Sequence, residues 1–262
     1  MEVVYRYLEG TPLVTIYVFD VGGVRVAVDP GPSSLHQPLD VDIVLCTHLH
    51  LDHCGSAGFF KTVYAHERYI AHLQDPTRLY ESSKAVLGIF AEKFGKPQPV
   101  GEVKAVSDRQ RLLDAIEAIH TPGHAPHHVM YYHRDTKTLF VGDGGGVYIP
   151  ELKAVIPTTP PVFRLDMYLA SLEKIRGLGV GELCYPHYTC TTNVELLDIH
   201  REQVRSWVEA LGEASGVEDG LGRLKKEDEN VAKVLEVGGL YLEFYLKLSV
   251  VGFLDYIRRV RP

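Results

Sequence analysis

Three imidazoles and one carboxylate crowd into six residues of this chain, in the run Thr47-His48-Leu49-His50-Leu51-Asp52-His53. Neutral imidazole and carboxylate are the nitrogen and oxygen donors that hold Zn²⁺, Fe²⁺ or Mn²⁺. The run follows an apolar segment, Asp42-Ile43-Val44-Leu45-Cys46, with the character of a buried strand. Ligands delivered to the end of such a strand lie where α/β sheets usually build their sites. A histidine-rich surface loop is the competing reading, and three later segments weigh against it. They are His120-Thr121-Pro122-Gly123-His124, Phe140-Val141-Gly142-Asp143-Gly144-Gly145-Gly146 and Leu183-Cys184-Tyr185-Pro186-His187-Tyr188, each ending an apolar run with a metal-competent residue. Pro122 and Gly123 force a tight turn that presents His124 at a strand end. The glycines after Asp143 allow close approach of backbone to a ligand. No Gly-Lys-Ser/Thr follows them, so a phosphate loop is not read there.

The elements that must carry these residues are legible in outline. Residues 1–65 are β-rich: 13–19 and 24–29 flank a Val21-Gly22-Gly23 turn as a hairpin, and 62–65 is a further strand. A short helix is expected to start at Cys54. From residue 66 to 95, Tyr69, Ile70, Leu73, Leu79, Tyr80, Leu87 and Phe90 recur at helical spacing among charges, which predicts two helices inserted over the sheet. A second β-rich half spans 103–146, with 129–133 and 139–143 joined by the Asp135-Thr136-Lys137-Thr138 turn. A helix is predicted over 165–176 and a last strand over 180–185. From about 194 the chain is helical, interrupted near 216–222. Each half has a hairpin followed by a strand whose end carries His or Asp. That pattern predicts an α/β protein in which two sheets pack face to face with helices outside, an αββα sandwich. Residues 1–193 would form the core, with 66–99 as the helical insertion and 194–262 as a helical C-terminal region packed on it.

Bulk composition sets the class. The chain has 262 residues, 45% apolar and 23% charged, as in an ordinary globular protein. Its net charge of −7 offers no footprint for a nucleic-acid backbone. The most apolar segment, 240–257, is broken by Glu243, Lys247 and Asp255 and reads as a core helix rather than a membrane span. The first residues lack the pattern of a signal peptide, so a cytoplasmic protein is expected. Four cysteines do not make a secreted framework at this length, and buried thiols are favoured over a Cys184–Cys190 disulfide. Two Asn and five Gln against 15 Pro lean towards a thermophile.

Taken together, the motifs resemble the metallo-β-lactamase superfamily, close to its glyoxalase II and lactonase-like branches. The resemblance covers residues 13–190, with five motifs in the family's order. It implies the fold of that name and two divalent ions per chain, zinc in the first instance, with iron and manganese accepted by the same donors. By position, His48, His50 and His124 would hold one ion, Asp52, His53 and His187 the other, and Asp143 would bridge them. Asp29 matches the first motif as a supporting partner. The implied enzyme is a hydrolase whose metal-bridging hydroxide cleaves a small carbonyl ester, a thioester or a lactone. Asp52 would orient the nucleophile or guide its proton, and Tyr188 would steady the oxyanion.

Rival readings are a mononuclear iron persulfide-dioxygenase built on His48, His124 and Asp143, a phosphodiesterase or nuclease, and a metal-stabilised interaction module docking through 240–257. The partner expected is a small-molecule substrate, without nucleic acid or membrane, and a homodimer is left open. His127 departs from the small residue usual at its position in related sequences, and neither it nor His128 is expected to be a ligand. The remaining histidines read as surface or core groups. Tyr69, Tyr80, Phe90, Phe163 and Tyr168 fit core packing at least as well as a pocket.

Overall fold

A computed structural model describes residues 1–260. Strands β1 (Glu2–Leu8), β2 (Thr11–Val21), β3 (Val24–Val28), β4 (Ile43–Leu45), β5 (Thr62–His66) and β6 (Glu102–Val106) form one sheet in that order. The expected hairpin is β2–β3, closed at the Val21–Val24 pair. From β3 to β6 the strands run parallel. The second sheet is ordered β14 (Cys190–Thr191), β13 (Glu182–Cys184), β10 (Thr138–Phe140), β9 (Val129–His133), β8 (Ile116–His120) and β7 (Arg111–Leu112). A small hairpin, β11 (Val147–Ile149) with β12 (Ala154–Ile156), follows the Asp143 loop.

Strand periodicity decides the layers. On β2, Tyr17 and Phe19 point into the space between the sheets, where they meet Ile116, Tyr131 and Phe140 of the second. Ile16 and Val18 point the other way, towards α1 (Leu51–Cys54) and α2 (Ile70–Gln74). On the second sheet, Ile119, Met130 and Leu183 face outward under α5 (Leu165–Ile175), α6 (Leu196–Ala210), α7 (Val217–Glu227), α8 (Glu229–Val237) and α9 (Leu240–Val260). Helices therefore cover both outer faces, giving the αββα sandwich. The C-terminal helices share one continuous apolar cluster with β8–β13.

Several local expectations are corrected. The insertion contains three helices, α2, α3 (Thr77–Leu87) and α4 (Ile89–Phe94), because Gly88 at φ 56° breaks what the periodicity joins. The first short helix begins at Leu51, inside the histidine run, and so carries Asp52 and His53 on its opening turns. The C-terminal interruption lies before Val217, since α7 continues through Gly220 and Gly222. Gly220 is a packing residue: a Cβ there would come within 2.9 Å of Leu211 and Val250. Finally, the cysteines are not free thiols. Cys46 is joined to Cys54 and Cys184 to Cys190. The first pair closes the loop that holds His48 and His50, and the second closes the loop that holds His187.

Helix α9 is fixed to the core by polar as well as apolar contacts. Ser249 Oγ donates to the Pro157 carbonyl at 2.9 Å and accepts from the Thr159 amide at 3.2 Å. Gly252, one turn on, lies so close that a Cβ would fall inside the Thr159 carbonyl. Gly252→Ala is therefore expected to push α9 off this loop and to cost about 3 kcal/mol of stability, as overpacking does. Urea denaturation of the two proteins would measure it; an unchanged midpoint would show that the helix yields freely. No helix among the described residues is long and apolar enough to cross a membrane.

Candidate metal centre

Each strand of the motif set ends at one rim of the sandwich. Past β4, Thr47 and His48 enter the rim, His50 stands at the N-terminus of α1, and Asp52 and His53 lie on that helix. His124 follows β8 in a turn where Gly123, at φ 140°, packs against the Tyr168 backbone with no room for a side chain. Asp143 follows β10 in a 3₁₀ turn, and His187 follows β13.

The structure brings seven of these side chains together in two adjoining groups. Ligand atoms of His48, His50, His124 and Asp143 lie within 4.8 Å of one another, as do those of Asp52, His53 and His187. Asp143 is shared. Its Oδ2 is 3.9 Å from His48 Nε2 and 3.5 Å from His124 Nε2; its Oδ1 is 3.3 Å from His53 Nε2 and 3.4 Å from His187 Nε2.

Second contacts aim the rings. His53 Nδ1 donates to Asp29 Oδ2 at 3.0 Å, and the same carboxylate accepts from the Thr47 amide and hydroxyl. His124 Nδ1 donates to the Thr158 carbonyl at 2.7 Å, and His187 Nδ1 to that of Leu13. An acceptor at Nδ1 leaves Nε2 as a bare lone pair directed at the centre, the usual way a protein fixes a ligating tautomer. Three of the buried atoms thus aimed, His53 Nε2, Asp143 Oδ1 and His187 Nε2, have no hydrogen-bond partner. Orphaned polar atoms in a dry interior are costly. In the first group, His50 Nδ1 is 3.0 Å from both His48 Nε2 and His124 Nε2. Nitrogens bound tetrahedrally to one zinc would be about 3.3 Å apart. The donor set therefore fits divalent cations.

Charge follows the same geometry. Burial, reinforced by the neighbouring imidazoles, holds His48 well below the usual range and brings His50 to about 3. Burial also lowers His124. His53 is the exception: burial pushes it down, but Asp143 and Asp52 outweigh this and raise it well above 6.5. Burial works against Asp143's charge too, and His53 and His124 more than reverse it.

His127 and His128 do different work. His128 Nε2 accepts from the Gly144 amide at 3.0 Å and its Nδ1 meets Thr121 Oγ1 at 2.8 Å, so it supports the Asp143 loop. His127 lines the cavity beside His50 and sits edge-on to Tyr69. Tyr188 stands apart from the cavity lining. It packs against the outer cluster, burial and Glu151 push its phenol up to about 12, and it is not among the described residues lining the cavity. The tyrosine at the centre is Tyr245 of α9, which donates to Asp52 Oδ2 at 2.9 Å. Nothing in the sequence singles it out from Tyr241, Phe244, Phe253 and Tyr256 on the same helix.

Further out, Tyr168 Oη donates to the Asp143 carbonyl at 3.2 Å and meets His200 Nε2 at 2.7 Å. Burial lowers His200 to about 4. The unfolded chain takes up this proton near pH 6.5, the folded protein only near 4, so stability present above 6.5 is lost as pH falls towards 4. His200→Gln should remove up to about 3 kcal/mol of that decline. Urea titrations at pH 7 and 4.5 test this; equal declines in both proteins would contradict it.

These features define a class. Residues 13–187 match the metallo-β-lactamase superfamily, and the chain belongs to that family. The fold implies divalent metal binding, and the two His/Asp groups stand where such ions would go. The chain is 30% identical over 204 residues to the metallo-β-lactamase fold-containing protein ST1585 of Sulfurisphaera tokodaii, covering 68% of this chain and 77% of that protein. The crystal structure of ST1585 aligns with a TM-score of 0.69 and 25% identity over 90% of this chain and 98% of that one. A di-iron-bound structure of TTHA1623 aligns at 0.53 and 25% identity over 72% and 94%. The atrochrysone carboxyl ACP thioesterase of Aspergillus fumigatus is 25% identical over 189 residues, 66% of this chain and 49% of its own length.

Proposed function

We propose that the protein is a dinuclear metal-dependent hydrolase acting on a small carbonyl ester, a thioester first and a lactone second. The observation that carries this reading is the shared Asp143, whose two oxygens face two separate groups of donors, with three buried atoms lacking any other partner. The relatives add support: one is named a thioesterase, another was crystallised with two irons. His48, His50 and His124 would hold one ion, Asp52, His53 and His187 the other, with Asp143 between them. Zinc is the ion expected, although the donors also suit iron and manganese. When bound, such ions polarise a carbonyl and make hydroxide available near neutral pH.

The chain's own groups do the rest. Asp29, Thr158 and Leu13 hold three imidazoles in the ligating tautomer. Asp52, whose Oδ2 accepts from Tyr245, would take a proton from water and pass it to the leaving group. Tyr245 fixes that carboxylate's orientation. The buried walls limit water around the reacting carbonyl.

Elemental analysis of protein purified without added metal, followed by assays on thioesters, lactones and phosphodiesters, tests the reading. Two ions per chain and turnover of a carbonyl ester are expected. One iron per chain with oxygen uptake would replace it by the persulfide-dioxygenase chemistry, and turnover of phosphodiesters alone would overturn the carbonyl assignment.

A further inference from the structure

Beside the metal-facing groups lies a cavity of about 200 Å³. One end is His50, Asp52, His124, Asp143 and Tyr245. The facing walls are Leu79, Val86 and Leu87 of α3, Phe94 of α4, and Phe244 and Leu248 of α9. Ser82 and Ser83 are the polar groups α3 contributes. No Lys or Arg is among the described residues that line it. We infer that this cavity takes the neutral, apolar acyl chain of an ester or thioester, with the carbonyl at the Asp143 end and the chain between α3 and α9. This inference rests on the ester-hydrolase reading above.

Charge and size both select the ligand. Away from the Asp143 end, an anionic group on the acyl chain would meet the apolar walls of α3, α4 and α9 with no Lys or Arg among the described lining residues, and would lose its hydration without replacement. A substrate whose acyl part carries a carboxylate is therefore rejected. A bulky anionic thiol carrier could be tolerated only with its charges outside the mouth, near Val86, which is 47% exposed. At about 30 Å³ for each water-sized group, the cavity holds roughly seven heavy atoms. That corresponds to an acyl chain of about six carbons with its carbonyl oxygen. Walls from two helices distant in sequence explain why only the complete fold forms the pocket: α3 belongs to the insertion and α9 to the C-terminal region.

The test uses metal-loaded full-length protein and p-nitrophenyl esters from acetyl to dodecanoyl, with thiophenyl esters as a parallel set. Burial of each methylene is expected to raise kcat/KM about fourfold up to hexanoyl, with a plateau or fall beyond. A succinyl ester should run at least tenfold below its butyryl counterpart. Leu248→Trp and, at a more exposed position, Val86→Trp should invert the hexanoyl-to-acetyl ratio. Hydrolysis that is indifferent to chain length, or that favours succinyl, overturns the pocket inference while leaving the hydrolase reading intact. Binding of 2-heptanone, a neutral ketone whose acyl part has six carbons, is measured separately by calorimetry and needs no turnover. If no ester is cleaved yet 2-heptanone binds and Leu248→Trp abolishes the binding, the pocket stands and the hydrolase reading falls. If 2-heptanone does not bind, the pocket inference falls.

Discussion

Asp143→Asn is expected to lower activity on any ester substrate by about three powers of ten, the scale on which several kcal/mol of lost charge stabilisation shows in a rate. Asn keeps the shape of the side chain and one oxygen, but presents an NH₂ where the second oxygen stood. One of the two groups, His48/His50/His124 or His53/His187, must then face a donor instead of an acceptor. Metal content should fall from two ions to one or none by elemental analysis. The burial of Asp143 leaves water little chance to substitute for the lost oxygen. Full occupancy of both sites in the variant would show that Asp143 does not join them.

Tyr245→Phe should lower kcat by about ten- to a hundredfold, the usual cost of removing a group that supports a ligand. The ring has other partners, lying 5.0 Å from His187 and 5.9 Å from Phe244, so the fold should survive the loss of one oxygen. What changes is Asp52, whose Oδ2 loses its donor and whose carboxylate can then rotate. Metal affinity, measured by competition with a chelating dye, should weaken in step. A variant with wild-type affinity and wild-type kcat would reduce Tyr245 to packing.

Much of this centre could be read from residues 48–53 alone, because ligand spacing is local and a strand end is a predictable place. The sandwich was legible for a similar reason: alternation on β2 states which face is buried without reference to anything distant. Tyr245 was not legible. It lies 193 residues from Asp52 in sequence, and nothing in a helix's own periodicity says which strand end it will meet. Tyr188 is the converse case: it stands next to His187 along the chain, yet it is not among the described residues that line the cavity. The three-helix insertion was missed because apolar spacing persists across Gly88, and only the left-handed turn there reveals the break. The cysteine pairs depend on distances that a sequence does not contain: Cys184 and Cys190 are direct partners across β13–β14.

The anchoring of α9 on Thr159 has a consequence for how such proteins diversify. All seven donor side chains lie before residue 190, whereas part of the acyl-facing wall and the tyrosine on Asp52 arrive from a helix some fifty residues later. The donor set is thus written in one stretch of the polypeptide, while part of its support and of the cavity wall is written in another. Changes on α9 away from Tyr245 can alter that wall and leave the seven donors as they are.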